Sequence, residues 1–174
     1  MRNNKGFTLV EMLVTLAIAS ITLRYAIPAT REFQASMRVN STANDFVAAL
    51  KDARSRAVMT SRHETVTAIS GAVSANNWGR NGWRITEIRN GVVSTMFEYK
   101  NVPQSVTITS IPGMSAFRFA AISGQAQYPN ASLLNVVFRV CDTKGLSERG
   151  RDIRINQFGQ ISIITHPNGT LCNS

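Results

Sequence analysis

The stretch from Lys5 to Pro28 limits what this chain can become more than any other. It reads Lys5-Gly6-Phe7-Thr8-Leu9-Val10-Glu11-Met12-Leu13 and stays apolar, with interruptions, to Ile27. A short basic leader, Arg2 and Lys5, precedes the run, and one acid, Glu11, sits inside it. A carboxylate in a membrane segment costs about 2.5–3.5 kcal/mol at the bilayer centre, less near an interface. Retaining Glu11 therefore requires a compensating partner.

Three readings compete for this stretch. A secretory signal peptide would use the basic start, the apolar core and the small residues around Ala17-Ile18-Ala19 for cleavage. It leaves Glu11 inside the apolar core and Ile21 to Ile27 unexplained on the mature chain. A plain anchor is long enough, because Phe7 to Ile27 as a helix spans about 32 Å against a hydrocarbon core of about 30 Å. Yet Thr8, Glu11, Thr15, Ser20, Thr22 and Arg24 make a poor lipid-facing surface. The third reading is a helix that crosses the membrane for a time and then packs against others of its kind. There the acid meets a partner's positive charge away from water.

The residues Gly6-Phe7-Thr8-Leu9-Val10-Glu11 resemble the type III signal of type IV pilins and type II secretion pseudopilins. That resemblance implies cleavage after Gly6 by a prepilin peptidase and methylation of the new N-terminus, Phe7. The family's acid falls on Glu11 and its kinking proline on Pro28. Arg24 departs from the apolar pattern, and snorkelling or a neighbour's acid would accommodate it. Freed of Gly6, Phe7 presents an amine at the positive end of the helix dipole, with Glu11 one turn along. The Glu11 carboxylate of one subunit then neutralises the amine of the next, desolvation cancels part of the gain, and the pair acts more as a register device than as glue.

At 174 residues the chain suits one domain plus an appendage. Net charge is +9, and loss of Arg2 and Lys5 leaves 17 basic against 10 acidic side chains. A basic mature protein attracts nucleic acid, anionic lipid or acidic neighbours. Cys141 and Cys172 suit one disulfide in an exported domain, and two free thiols are the alternative.

Beyond Pro28, which kinks or interrupts without ending the run, a second helical stretch is expected from Ala29 to about Arg62. Phe33, Met37, Ala43, Phe46, Val47, Leu50, Ala53, Ala57 and Val58 recur mostly three or four apart and form its packing stripe. Ser41 to Asp45 is its weakest part. Arg38, Lys51, Arg54, Arg56 and Arg62 read as a solvated face. From Thr65 the period changes to two. Strands are expected at Thr65–Ile69, Trp83–Ile88, Val92–Tyr99, Val106–Thr109, Phe117–Ala121, Leu133–Cys141, Arg151–Ile155 and Gln160–Thr165. Asn90-Gly91 marks a hairpin and Gln157-Phe158-Gly159 a turn. The expected fold is α+β and type IV pilin-like. A long N-terminal helix protrudes over its membrane-spanning half and packs by its second half on an antiparallel head of roughly seven strands in two groups. The chain divides into a leader 1–6, an assembly helix 7–28, an amphipathic helix 29–62 and a β-rich head 63–174.

Cys141-Asp142, Gly150-Arg151-Asp152-Ile153-Arg154-Ile155 and Phe158-Gly159-Gln160-Ile161 resemble the GspH/FimT/FimU group of minor pilins and pseudopilins. The resemblance implies a low-copy subunit that primes assembly near a fibre tip. Its partners would be other minor pilins, a major pilin, the prepilin peptidase and the inner-membrane assembly machinery. The subunit would begin as a single-pass inner-membrane protein with a periplasmic head and end in a pilus or pseudopilus. Competence pilins of the FimT type imply double-stranded DNA as a partner through a Gly-Arg-x-Arg element. Here that element is one residue longer and carries an acid. Lys144, Arg149, Arg151 and Arg154 are the candidate DNA contacts, which would give affinity without sequence choice. In a strand Arg151 and Arg154 point to opposite faces. The alternative has these arginines paired with Glu148, Asp152 or a neighbouring subunit.

Catalysis finds little support. His63 and His166 lack acids or thiols at metal-ligand spacing, and no nucleophile elbow or phosphate loop is present. No enzyme activity, metal or cofactor is expected. Gly79-Arg80-Asn81-Gly82 reads as a surface loop, and Trp78 and Trp83 as candidates for stacking on a partner, Trp83 by its alternation also for the core.

Overall fold

The computed structural model describes residues 8–69, 78–79, 81–143, 150–165 and 172, the side chain of Ala29 excepted. One helix, α1 (Leu9–Thr60), runs 52 residues, about 78 Å at 1.5 Å per residue. It starts at Thr8, whose extended backbone and side-chain oxygen cap the first turn, and stops where Ser61 turns left-handed (φ 55°). Pro28 lies inside it without ending it, although its ring removes the N–H that would bond the Arg24 carbonyl. Ser41 to Asp45 is helical too. Thr42 and Ala43 are buried there, so packing on the head outweighs weak propensity.

The helix divides by burial, not by secondary structure. Its described side chains are exposed from Leu9 to Gln34, and packing begins at Ala35 and Val39. Phe33 and Met37, expected in the packing stripe, are 65% and 56% exposed, and Val58 is 43% exposed. The stripe that does pack is Val39, Ala43, Phe46, Val47, Leu50, Ala53 and Ala57. The first half of α1 is long and apolar enough to cross a membrane.

Among the described residues nine strands follow: β1 (Glu64–Ala68), β2 (Trp83–Arg89), β3 (Val92–Tyr99), β4 (Val106–Ile111), β5 (Ala116–Phe119), β6 (Ala126–Gln127), β7 (Val136–Asp142), β8 (Arg151–Ile155) and β9 (Ile161–Thr165). They form a five-stranded sheet, β3-β2-β1-β5-β6, and a four-stranded sheet, β4-β7-β8-β9. Every named pairing is antiparallel. The expectation of roughly seven strands in two groups thus becomes nine in two sheets. The strand expected from Leu133 starts instead at Val136, and Leu133 makes only an isolated bridge to Gln127. The hairpin at Asn90-Gly91 has both residues at positive φ, 50° and 79°, as a tight two-residue turn between twisted strands demands.

An aromatic cluster joins the three layers. Phe46 from α1 meets Trp83 (ring centroids 4.8 Å apart) on the first sheet and Phe138 (5.0 Å) on the second, with Trp78 at 5.9 Å. Trp78 and Trp83 are both fully buried, so neither stacks on a partner. The Trp78 indole N–H donates to the Met114 carbonyl at 2.8 Å. Beside Trp78, Gly79 lies so close to β4 that a Cβ would stand 2.5 Å from the Ile108 nitrogen. That glycine serves close packing rather than a binding loop.

Candidate functional site

Two parts of the molecule bear on function: the uncovered half of α1 and the Arg151 corner of the head. Gly6 and Phe7, the expected cleavage pair, lie outside the described residues. The first described residue, Thr8, accepts a hydrogen bond from the Glu11 backbone N–H at 3.3 Å, while the Met12 N–H reaches the Thr8 carbonyl. Thr8-Leu9-Val10-Glu11 is therefore one half of a capping box, the Thr-x-x-Glu spacing that opens helices. That signal was available in the sequence and gives Glu11 a second local role. Its carboxylate occupies the first turn, where the helix dipole favours negative charge.

The hydroxyls that made this stretch look unfit for lipid are satisfied by their own helix. Thr15 donates to the Met12 carbonyl (2.9 Å), Ser20 to Leu16 (2.7 Å) and Thr22 to Ala19 (2.9 Å). Turned back on the backbone, they expose little unmet polarity. Glu11 and Arg24 are then the charged side chains on an otherwise apolar surface between Leu9 and Ile27. Leu13, Leu16, Ile21 and Leu23 among others are more than half exposed there, and nothing among the described residues covers them.

At the head, Cys141 and Cys172 form a disulfide with Cα atoms 5.5 Å apart. Gly150 lies against it: a Cβ there would stand 2.7 Å from the Cys172 sulfur. Next in sequence, Arg151 occupies the helix-facing side of β8. Its Nε donates to Asn40 Oδ1 on α1 at 2.7 Å, and its Nη1 donates to Thr165 Oγ1 on β9. Arg154 is exposed on the opposite face of the strand. Asp152 accepts from Arg139, directly across the β7–β8 ladder, at 3.1 Å, and both side chains are largely buried. Lys144 and Arg149 lie outside the described residues. The structure therefore separates Arg151 from Arg154 and engages Arg151 internally.

The basic face of α1 is likewise less solvated than its sequence implies. Arg54 Nε donates to the Gly124 carbonyl and Nη2 to the Phe158 carbonyl, both at 3.2 Å. Gly124 and Gly159 meet beneath it at positive φ, and a Cβ on Gly159 would lie 2.0 Å from the Gly124 oxygen. Arg56 pairs with Asp52 and Arg62 with Glu87. His63 accepts the Ala121 N–H on Nδ1 at 3.2 Å. Among the described residues no group of acids, histidines and cysteines could hold a metal ion. His166 lies outside them.

Comparison with known proteins adds two family matches. Residues 1–23 match the prokaryotic N-terminal methylation motif, and residues 42–159 match the family described as type II transport protein GspH. In fold the chain is similar to the type IV minor pilin FimU of Pseudomonas aeruginosa in two crystal forms. One is 20% identical with a TM-score of 0.60, covering 79% of this chain and 98% of that one. The other is 21% identical with a TM-score of 0.57, covering 75% and 98%. No curated protein matches.

Proposed function

Since the chain belongs to the GspH family of type II transport proteins, we propose that it is a minor, low-copy type IV pilin that helps to prime or build a pilus fibre near its tip. A prepilin peptidase cuts between Gly6 and Phe7 and methylates Phe7. The apolar half of α1 holds the subunit in the inner membrane with its head in the periplasm, then joins the helical bundle of a fibre. The observation that carries this reading is the continuity of α1. A helix with an uncovered apolar half and a single early acid runs without interruption into the middle of a folded head. A signal peptide removed at Ala19 would leave apolar turns exposed on the mature chain, and a plain anchor gives Glu11 no partner.

Mass analysis of the exported protein tests the reading. Loss of residues 1–6 with gain of one methyl group is expected, whereas loss of 1–19 overturns it. Glu11→Ala should abolish incorporation into filaments, and unchanged incorporation would remove the proposed pairing with a neighbour's amine.

The GspH match favours a second reading, a minor pseudopilin of type II secretion. Cross-linking through the exposed half of α1 separates the two, since the captured neighbour is either a major pilin or a secretion pseudopilin. The fold weighs against a duplex-DNA clamp shared by Arg151 and Arg154, because Arg151 is held by Asn40 and Thr165 while Arg154 faces the other way. Binding of duplex DNA at low micromolar protein, lost on Arg149→Glu with Arg151→Glu, would reverse that.

A further inference from the structure

Glu64 opens β1 on its core-facing side. It is fully buried, and neither of its carboxyl oxygens has a hydrogen-bond partner among the described residues. Directly across the β1–β2 ladder stands Glu87, also buried, and across the β1–β5 ladder stands Phe119. The cations nearby are already engaged. Arg62 donates to Glu87 Oε1, and Arg56 donates to Asp52 at 2.7 Å. His63, the next residue back, is occupied by the Ala121 N–H. The charged groups acting on Glu64 are thus Glu87 from β2, Arg56 and Asp52 from α1, and Arg62 from the joint between α1 and β1.

A carboxylate in this position would be cut off from water, unpaired, and faced by a like charge. We propose that Glu64 is a proton-binding site that latches the end of α1 to the five-stranded sheet: the neutral acid closes the joint, and its ionisation opposite Glu87 loosens it. The joint is short, with only Ser61, Arg62 and His63 between α1 and β1. Charge at Glu64 therefore acts on the helix end, on the first strand and on the Arg62–Glu87 pair together.

Desolvation, and after it the charge of Glu87, raises the Glu64 carboxyl from an ordinary 4.5 to about 7. With the folded value above the unfolded one, the proton's contribution to stability is full below about pH 4.5 and is lost as pH rises through about 7. Across that window the unfolding constant rises about 300-fold, tenfold per pKa unit.

The full chain in detergent provides the test. Urea unfolding is followed from pH 5 to pH 8 for the wild type and Glu64→Gln, and their infrared difference spectrum is recorded at pH 6. Expected are a wild-type stability that falls steeply over this range, a nearly flat profile for Glu64→Gln, and a protonated-carboxyl band that vanishes by pH 9. Parallel pH profiles, or no such band at pH 6, would overturn the proposal. Should Glu64→Gln fail to fold, Glu87→Gln takes its place. Removing the facing carboxylate must then lower the pH at which the band disappears, and an unmoved band refutes the latch.

Discussion

Phe46 is the residue whose removal should cost the head most. Its ring is fully buried and touches Trp83, Phe138 and Trp78 at centroid distances of 4.8, 5.0 and 5.9 Å, so it fastens α1 to both sheets at once. Truncating a buried phenylalanine to alanine costs about 3–5 kcal/mol through lost transfer energy and the cavity left behind. Because three rigid aromatic neighbours cannot collapse into the space, Phe46→Ala belongs near 5 kcal/mol. Phe46→Leu restores most of the volume and forfeits mainly the ring contacts, each worth about 0.5–1.5 kcal/mol, so it should cost about 2 kcal/mol. Urea unfolding of the full chain in detergent, read by near-ultraviolet circular dichroism, measures both. With a slope near 2 kcal/mol per molar urea, the midpoints should drop by about 2.5 M and 1 M. A loss below about 2 kcal/mol for alanine would show that Phe46 is not the tie between the layers. Equal losses for the two variants would show that the ring contacts contribute nothing.

Other perturbations follow from the same contacts. Arg54→Ala should cost about 1–3 kcal/mol by leaving two carbonyls without their charged donor, and amide exchange should quicken at Ser123–Gly124 and Gln157–Gly159. Gly159→Ala should be worse, at more than about 3 kcal/mol, because its Cβ would meet the Gly124 oxygen at 2.0 Å with φ at +73°; a thermal midpoint within a few degrees of wild type would contradict this packing. Cys141→Ser opens the loop of sequence separation 31 and should remove about 3.7 kcal/mol in the chain-entropy model, measured by urea unfolding against the intact disulfide. Thr8→Ala should fray the first turn of α1 at a cost of about 1 kcal/mol while filament incorporation persists, which would separate the capping role of Thr8 from the intersubunit role of Glu11.

Much of the architecture is legible in the sequence because local rules and tertiary packing agree there. Asn90-Gly91 after the alternating Trp83–Ile88 run marks the hairpin, and β3 spans Val92–Tyr99 as expected. What escapes is set by distant contacts. Trp78 has no periodic neighbours to assign it inward, and it is buried only because β4 and the Met114 carbonyl arrive from far along the chain. A two-residue strand such as Ala126–Gln127 carries too few residues for any period. Glu64 escapes for a different reason. Alternation places Val66 and Ala68 inward, and extending it one step back puts an acid in the core, where no propensity would place one. Conversely, Phe33 fits a helical stripe but precedes Ala35, where packing begins, and Met37, between the buried Ala35 and Val39, stays exposed. Arg151 and Arg154 separate onto two faces as strand geometry requires, yet the Asn40 and Thr165 partners of Arg151 follow only from the fold.

The unbroken course of α1 also decides how the head bears force. From Ala35 to Ala57 about six helical turns lie against both sheets. Tension drawn along the stem therefore arrives as shear shared by that whole contact, whereas a terminal strand would be peeled away one rung at a time. A subunit built this way yields last where it is gripped.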